Sequence, residues 1–314
     1  MSKKAIILMN MGGASDLAEI EVFLKNMFND PRIIGAPAFV RKNLADFIVA
    51  TRTPEVEKNY RLIGGGSPLL DISRSIQKKL QSYIDDAKVE LIMRYTPPFA
   101  KEVLAKLKSE GVEKLYLIPM YPQFSTTTTA SSIEDIRAHA KAIGYRPEMV
   151  SLLKYYEFEP YLDVVESRII EALGETDPAD VNLIFSAHGL PLNVIKRGDP
   201  YQKQLEEEVQ KHRSRLEKKG IGFNHIHLAY QSKVGPLKWL TPSLETMLEN
   251  IKNKRALIYP ISFTVDNSET LFELDIEYKE VAEKLKFEYY KVCRCPNDSD
   301  DFVRVLELLY RKMG

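Results

Sequence analysis

Residues 181–191 read Val-Asn-Leu-Ile-Phe-Ser-Ala-His-Gly-Leu-Pro, an apolar run that ends at a histidine and is followed by glycine and proline. The run at 181–186 has the length of a buried β-strand, and residues 202–219 have the spacing of an amphipathic helix. A second short apolar run follows at 225–229. A strand, a helix and a strand in this order are typical of a βαβ unit in a parallel sheet.

The same alternation runs through the whole chain. The other predicted strands lie at 5–9, 89–93, 114–119 and 255–260, and the other predicted helices at 71–85, 100–110, 132–143, 159–173, 242–250 and 301–313. The pattern occurs once before about residue 150 and again after it. We therefore predict an α/β fold of two tandem Rossmann-like domains, each a doubly wound, parallel four-stranded sheet, at residues 1–150 and 151–314.

The composition is that of an ordinary globular protein. Of 314 residues, 44% are hydrophobic and 28% are charged, and 44 basic residues balance 44 acidic ones. Zero net charge argues against a nucleic-acid-binding protein. No apolar run approaches the roughly 18 residues of a membrane span, and the run at 5–9 is too short for a signal peptide. The two cysteines, Cys293 and Cys295, suit neither a disulfide framework nor a four-ligand zinc site, so we predict a cytoplasmic protein.

Ligands of doubly wound sheets bind outside the carboxyl ends of the strands, so the residues directly after each predicted strand are the candidates for chemistry. His188 ends one such strand. An imidazole there is either a metal ligand or base that works near neutral pH, or a structural histidine, and its position supports both interpretations equally. After another strand, the hydroxyl-rich loop at 125–132 leads to Ser131 and Glu134, which have the spacing of a helix-capping box.

Three carboxylates follow the last predicted strand at a spacing of four residues. Glu269, Glu273 and Glu277 lie on one face of the predicted helix. Acidic exposed helix faces are common, but like charges four residues apart destabilise a helix, and these lie in the same half as His188. A histidine with carboxylates and no thiolates suits a transient Fe²⁺ or Zn²⁺ site.

Two further segments of the first half have open interpretations. The stretch Gly64-Gly-Gly-Ser-Pro68 is not a phosphate-binding loop, since no Gly-Lys-Ser/Thr follows, and it is either a tight bend beside a ligand or a plain loop. Residues 28–49 combine many apolar side chains with Arg41 and Lys42. They form either a mobile apolar lip that contacts a membrane or a greasy ligand, or an ordinary helix core.

Together, these motifs resemble those of the ferrochelatases, the enzymes that insert Fe²⁺ into a porphyrin to make haem. The matching residues are Asn10-Met-Gly-Gly13, Arg52-Thr-Pro54, Tyr60, Ile63-Gly-Gly-Gly-Ser-Pro68, Arg94-Tyr95, Tyr121-Pro-Gln123, Phe185-Ser-Ala-His-Gly-Leu-Pro191, Gly198-Asp-Pro-Tyr201, Gln231-Ser-Lys-Val-Gly-Pro236, Trp239 and the segment 266–278. Each motif alone is weak, but they follow in register from about residue 5 to 280.

The resemblance implies two Rossmann-like domains of the chelatase type, with the porphyrin in a cleft between them. It implies that His188 and Glu269 are the catalytic residues and the first partners of the metal. Glu273, Glu277 and Asp266 would form a path for protons and metal. The implied porphyrin-binding residues are Met11, Arg52, Tyr60, Ser67, Arg94, Tyr95, Tyr121, Val234 and Trp239. The implied substrates are protoporphyrin IX and Fe²⁺, with protohaem and two protons as products in the last step of haem synthesis.

The sequence also departs from parts of the family. Thr126 lies where animal members have a cysteine that ligates an iron–sulfur cluster, and such a cluster needs four cysteines. We therefore expect no cluster and no permanently bound cofactor. Asn267 replaces a histidine of animal members, and an amide does not shuttle protons. The residues around Met11 resemble the protoporphyrin-using branch, since the coproporphyrin-using branch has a tyrosine there.

Two alternatives remain at the level of the sequence. One is a related chelatase that loads cobalt or nickel into a different tetrapyrrole, although such proteins are mostly shorter or lack the blocks at 64–68 and 231–236. The other is a haem-binding or haem-delivery protein without catalysis. That class would need an axial ligand but no pair of base and carboxylate such as His188 and Glu269.

Overall fold

The computed structural model describes residues 3–233, 235 and 237–314. The chain divides into two compact units. The N-terminal unit comprises Met1–Lys154 together with Asp298–Gly314, and the C-terminal unit comprises Tyr155–Asn297.

The N-terminal unit is built on a four-stranded, all-parallel sheet with the strand order β2-β1-β3-β4. Its strands are β1 Lys4–Asn10, β2 Lys88–Met93, β3 Lys114–Pro119 and β4 Glu148–Ser151. Its helices are α1 Ile20–Phe28, α2 Ala38–Leu62, α3 Leu69–Tyr83, α4 Ala100–Ser109, α5 Ser131–Ala142 and the C-terminal helix Asp300–Met313. A short 3₁₀-helix, Leu17–Glu19, precedes α1, and a π-helix, Thr126–Ala130, runs directly into α5.

The C-terminal unit repeats this topology with the strand order β6-β5-β7-β8, again all parallel. Its strands are β5 Asn182–His188, β6 His225–Gln231, β7 Arg255–Pro260 and β8 Tyr289–Val292. Its helices are α6 Glu159–Leu173, α7 Leu192–Lys196, α8 Tyr201–Lys218, α9 Leu244–Asn250 and α10 Tyr278–Lys284. A 3₁₀-helix, Pro178–Asp180, precedes β5, and a π-helix, Glu269–Glu277, runs directly into α10.

The central strands carry continuous apolar runs because helices cover both faces of each sheet. In β1 the residues from Ala5 to Met9 have no exposed surface, and Leu183, Ile184 and Phe185 of β5 are equally buried. The predicted fold class, two Rossmann-like α/β sheets of four parallel strands, is confirmed.

The structure differs from the predicted domain ranges at the C-terminus. Residues 298–314 belong to the N-terminal unit, not to a second domain over 151–314. The apolar face of the C-terminal helix is buried there, and its Tyr310 ring packs edge-on against Tyr116 of β3 at 5.0 Å. The Tyr310 hydroxyl donates to Asp86, and Lys79 of α3 pairs with Asp300 at 2.9 Å. The helix therefore completes a face of the first sheet.

Sequence reasoning missed several elements. The edge strands β4 and β8 have only four residues each, and their side chains are mostly half-buried, so they lack a strong apolar run. The sequence does not predict α1, α7 and α10, and it gives a helix in the region of α2 only as one of two interpretations of residues 28–49. The capping box was wrong: Ser131 is already helical, its hydroxyl binds Asp30, and Glu134 pairs with Arg32.

Candidate active site

The C-terminal unit brings the two predicted catalytic side chains together. His188 is the last residue of β5, and Glu269 is the first residue of the π-helix that follows β7. His188 Nδ1 lies 2.8 Å from Glu269 Oε2. Both side chains keep contact with solvent, with 37% and 22% of their surface exposed. The pair is therefore accessible at a strand end, as expected for ligand chemistry in this fold.

Gln231 and Ser232, at and just past the end of β6, hold Glu269 and Glu273 side by side. The Ser232 N–H donates to Glu273 Oε1 at 2.6 Å, and the Ser232 hydroxyl contacts Glu273 Oε2 at 2.5 Å and Glu269 Oε2 at 3.0 Å. The amide of Gln231 donates to Glu273 at 3.2 Å and contacts Glu269 at 3.5 Å. Ser186 fixes this amide by donating to its oxygen at 2.8 Å. Two carboxylates thus share one set of donors.

The charges of the group are strongly coupled. Burial opposes ionisation of Glu269 but the facing imidazole outweighs it, so the pKa of Glu269 is lowered. Burial likewise disfavours charged His188, yet the Glu269 carboxylate raises the pKa of the imidazole above its ordinary value. Burial, and then repulsion by Glu269, raise the pKa of Glu273 to about 7. The site therefore couples one imidazole–carboxylate pair to one carboxyl group that exchanges its proton near neutral pH.

The helix that carries the acidic row is a π-helix, a type that the four-residue spacing alone does not distinguish. Glu269 and Glu273 are half-buried, whereas Glu277, the last residue of the π-helix, is exposed. The row therefore runs from the imidazole to solvent. π-Helical turns occur frequently at functional sites.

Trp239 packs beside Gly189, the residue after the predicted base. An added Cβ on Gly189 would lie 3.4 Å from the Trp239 ring and 2.7 Å from the Gln231 carbonyl, so the residue after His188 has room for glycine only. Within the described residues, the buried indole nitrogen of Trp239 has no hydrogen-bond partner. Val234, the other porphyrin-binding residue predicted in this half, lies outside the described residues.

Asp266 and Asn267 have contacts that organise the backbone. Asp266 Oδ2 accepts from the Asn297 side chain at 2.7 Å, and its Oδ1 accepts from the Cys295 N–H at 3.3 Å. Neither contact links Asp266 to His188. The Asn267 side-chain oxygen accepts from the Glu269 N–H at 2.8 Å, so this amide caps the start of the π-helix. The contacts of Asp266 do not join it to the catalytic group, and its place in a transfer path stays a prediction.

Arg94 and Tyr95, predicted to line the porphyrin pocket, belong to a buried ion-pair network of the N-terminal unit. Arg94 lies 3.1 Å from Asp30 and 3.2 Å from Asp135, and its Nε donates to Ser131 at 3.0 Å. The Tyr95 hydroxyl donates to Asp30 at 2.9 Å. Both side chains are therefore occupied by protein partners in this structure.

The remaining predicted porphyrin contacts also lie in the N-terminal unit. Met11 follows β1 and is half-buried, while Tyr121 is buried after β3. Tyr60 is buried in a cluster with residues of α1, and the Ser67 N–H donates to the Ala14 carbonyl at 2.7 Å. Arg52 is half-buried in α2 and makes no ion pair with any residue that the structure describes.

The glycine-rich stretch before Ser67 has a packing explanation. A Cβ on Gly66 would lie 2.0 Å from the Ser15 carbonyl oxygen, which no side chain permits. The backbones at residues 15 and 66 therefore approach each other more closely than any other residue type allows. This contact accounts for at least one glycine without a ligand.

The segment 28–49 exposes apolar side chains. Phe39 is 73% exposed and Phe47 is 66% exposed, and Val40 and Leu44 add to the same part of α2. Ala45 and Val49 point into the core instead. The segment thus combines an exposed apolar surface with an ordinary buried face. Among the described residues, no helix has the length and apolar character needed to cross a membrane.

Metal-ligating groups are sparse in the part of the chain that the structure describes. No three His, Cys, Asp or Glu side chains are grouped there so that they could hold a metal ion. Cys293 and Cys295 are free and buried, and burial raises the pKa of both thiols. The metal-binding role of His188 and Glu269 stays a prediction.

Sequence reasoning quoted Gln231 and Ser232 in a motif but gave them no role. The sequence offers a signal for both residues, because they lie at the carboxyl end of a buried strand in a parallel sheet. Their function as shared donors depends on the position of the π-helix, which no short-range pattern specifies.

The fold is shared with solved chelatase structures. SirB from Bacillus subtilis, solved with Fe³⁺, superposes with a TM-score of 0.58 at 12% identity, covering 100% of this chain and 96% of that one. CbiX, the terminal enzyme for siroheme biosynthesis in denitrifying bacteria, superposes with a TM-score of 0.55 at 9% identity over 99% of both chains. At such identities the likeness shows the fold alone.

The family follows from the sequence comparisons. The ferrochelatase family model matches residues 3–313. A ferrochelatase of Sulfurimonas denitrificans is 46% identical over 315 residues, with full coverage of both chains, and one of Nitratiruptor is 47% identical over 311 residues, covering 99% of this chain and all of the relative. The chain belongs to the ferrochelatase family. The predicted family and the predicted enzyme class, a metal chelatase, are confirmed.

Proposed function

We propose that the protein inserts Fe²⁺ into protoporphyrin IX, giving protohaem and two protons as the last step of haem synthesis. Membership of the ferrochelatase family supports metal insertion into a porphyrin. The observation that carries the residue assignment is the 2.8 Å contact between His188 Nδ1 and Glu269 Oε2.

The chemistry requires a base, because pyrrole N–H groups are very weak acids. When the Nδ1–H of His188 donates to Glu269, the lone pair of Nε2 remains to accept a pyrrole proton. Within the described residues, Nε2 makes no hydrogen bond. The Glu269 carboxylate then stabilises the imidazolium, just as the raised pKa of His188 indicates.

The acidic row provides an exit for the protons and an entry for the metal. Glu269 shares Ser232 with Glu273, so a proton passes between the two carboxylates through one hydroxyl. Glu273, with a pKa of about 7, both takes up and releases protons near neutral pH. Glu277 is exposed and connects the row to solvent. Few ligands suit a metal that must be released into the porphyrin, since a closed site would retain it.

The N-terminal unit contributes porphyrin recognition and membrane contact in this proposal. Arg52, which lacks a described ion-pair partner, is the cation for a propionate, because a buried carboxylate needs a charged partner. The exposed Phe39 and Phe47 favour peripheral contact of the segment 28–49 with the inner face of the membrane of a cytoplasmic enzyme. No resident cofactor takes part, and two cysteines are too few for an iron–sulfur cluster.

Absorption spectroscopy tests the proposal. The protein is mixed anaerobically with protoporphyrin IX and either Fe²⁺ or Zn²⁺, and the porphyrin bands are followed over time. We expect conversion to the metalloporphyrin with multiple turnovers. Binding without turnover would instead support a haem-binding protein, and turnover of only a different tetrapyrrole with cobalt or nickel would support the related chelatases.

A further inference from the structure

The backbone of His188 has a paired strand, β6, on one side only, because β7 on the other side ends before it. Ser186, two residues earlier, accepts from the Ile261 N–H at 3.0 Å just past the end of β7. Alternate residues of a strand bond to the same side, so the N–H and C=O of His188 face this side too. The last paired residue of β7 is Pro260, and the chain turns away after it. On the β6 side the ladder continues, with Gly189 N–H donating to the Gln231 carbonyl at 2.9 Å.

Two side-chain hydroxyl groups replace the missing strand. The His188 N–H donates to Ser262 Oγ at 3.1 Å, and the Tyr201 hydroxyl donates to the His188 carbonyl at 3.1 Å. The two hydroxyl oxygens lie 2.6 Å apart. Both residues are buried, since Tyr201 is 7% exposed and Ser262 is 8% exposed.

The proton count allows one arrangement of these bonds. Tyr201 has a single hydroxyl proton, which goes to the His188 carbonyl, so the proton between the two oxygens belongs to Ser262. The bonds then form a closed ring: His188 N–H to Ser262, Ser262 O–H to Tyr201, and Tyr201 O–H back to the carbonyl of His188. Each donor is used once, and no buried group of the ring is left unsatisfied.

The ring has its own supports in the fold. Ser262 lies two residues past the end of β7, and Tyr201 begins α8, with its N–H donating to Asp199 Oδ1 at 3.0 Å. The imidazole of His188, in contrast, has Nδ1–Glu269 as its only hydrogen bond among the described residues. The direction of its Cα–Cβ bond, and with it the reach of Nε2, is therefore set by the backbone that the ring holds.

We infer that Tyr201 and Ser262 are positioning residues that fix His188 against Glu269 for the proton transfer of the proposed reaction. The inference rests on the proposed function, in which His188 is the base. Neither residue touches the reacting atoms. Their contribution is orientation, and a displacement of about 1 Å of a catalytic group costs up to about a hundredfold in rate.

Removal of single hydroxyl groups tests the inference. Tyr201→Phe and Ser262→Ala each break the ring and leave the imidazole and both carboxylates in place. The matched control is Tyr259→Phe, because Tyr259 lies in β7, is fully buried, and its hydroxyl has no hydrogen-bond partner among the described residues. We expect kcat of metal insertion to fall about tenfold or more in the two ring variants while KM for porphyrin changes less than twofold. The control should keep the wild-type kcat.

A spectroscopic readout separates positioning from general stability. With ¹⁵N-histidine labelling, the chain gives five backbone amide signals, since it has five histidines, and the signal of His188 is assigned by its loss in His188→Asn. Hydrogen exchange at this amide should speed up in Ser262→Ala and Tyr201→Phe, and should not change in Tyr259→Phe.

The outcomes are distinct. Faster exchange at His188 with unchanged kcat would reduce the ring to a structural role and overturn the inference, as would a lower kcat with unchanged exchange. If one ring variant fails to fold, the other decides. Wild-type protein that binds porphyrin but never inserts metal would refute the proposed function instead, a result visible before any variant is made.

Discussion

The sheets of the two units share an equivalent hydrogen bond at the end of one strand. In the N-terminal unit, the Met120 N–H, just past β3, donates to the Met9 carbonyl at 2.8 Å. In the C-terminal unit, the Ile261 N–H, just past β7, donates to the Ser186 carbonyl at 3.0 Å. Both strands end in proline and hold the third place in the same strand order. These bonds define corresponding positions in the two sheets, so the residues at their strand ends can be compared one by one.

The aligned positions carry different chemistry. Two residues beyond Met9 lies Met11, and two residues beyond Ser186 lies His188. Each third strand is followed by a π-helix, which contains four threonines in the first unit and three glutamates in the second. The fold thus places side chains at the carboxyl ends of the strands in each sheet, here called the edge of that sheet. The residue types at the two edges decide which one is suited to chemistry.

The two edges also treat their charges differently. In the N-terminal unit, Asp30 and Asp135 share the guanidinium of Arg94, a cation that does not titrate, and the Tyr95 hydroxyl also donates to Asp30. In the C-terminal unit, Glu269 and Glu273 face the titratable imidazole of His188, and an excess of negative charge remains. A titratable imidazole with excess negative charge suits a divalent metal and departing protons, whereas a permanently charged guanidinium suits a rigid binding surface.

The largest effect should follow removal of the base at the reactive edge. We expect His188→Ala to reduce metal insertion by at least about two to four orders of magnitude, because no other imidazole replaces it at this strand end. Stability should change little, since the side chain is part-exposed. The measure is the anaerobic insertion rate, with His225→Ala at an exposed histidine as the control. Activity within tenfold of wild type would remove His188 from the mechanism.

The acidic row should show graded effects. Glu269→Gln should nearly abolish turnover, because the imidazolium loses its facing carboxylate. Glu273→Gln and Glu277→Gln, farther along the π-helix, should slow turnover progressively less. Glutamine keeps the shape, so porphyrin binding, measured by fluorescence quenching, should stay close to wild type in all three. Equal inactivity of Glu277→Gln and Glu269→Gln would contradict a path that weakens towards solvent.

Sequence reasoning reached His188 and the acidic row because buried strands are recognisable and parallel strands place their ends at one edge. It missed the π-helix since a four-residue spacing keeps side chains on one face in either type of helix. It assigned the C-terminal helix to the wrong unit because its contacts, such as Tyr310 with Tyr116, span nearly 200 residues of sequence. The roles of Ser232 and Tyr201 depend on the direction of single hydroxyl groups, which local sequence does not specify.

Two arginines of the N-terminal unit, Arg94 and Arg52, should behave in opposite ways. Arg94→Ala should lower the free energy of unfolding by roughly 3 kcal/mol, because it leaves the buried Asp30 without its cation. Arg52→Ala should change stability by less than about 0.5 kcal/mol but raise KM for protoporphyrin about tenfold, the loss of one charge-assisted hydrogen bond. Urea unfolding and steady-state kinetics separate the two.

A substrate control sharpens the assignment of Arg52. With a porphyrin whose propionates are methyl esters, wild type and Arg52→Ala should have the same KM, because no carboxylate remains to pair. A difference that persists with the ester would show that Arg52 acts on something other than a propionate.

The smallest effect concerns the pH dependence of Glu273. Its pKa of about 7 lies above the ordinary value of a glutamate, so the folded protein holds this proton more tightly than the unfolded chain does. Between the ordinary pKa and about pH 7, this group therefore makes stability fall as pH rises, and Glu273→Gln should remove that slope from urea-unfolding curves.

Burial, the larger cause of the raised pKa of Glu273, persists in Glu269→Gln, whereas the repulsion by the Glu269 carboxylate disappears. In Glu269→Gln the ¹³C-carboxyl resonance of Glu273 should thus titrate at lower pH than in wild type, but still above an ordinary glutamate. An unchanged midpoint would mean that the shared Ser232 does not bring the two carboxylates close enough to interact, and the excess of negative charge at this edge would lose its physical basis.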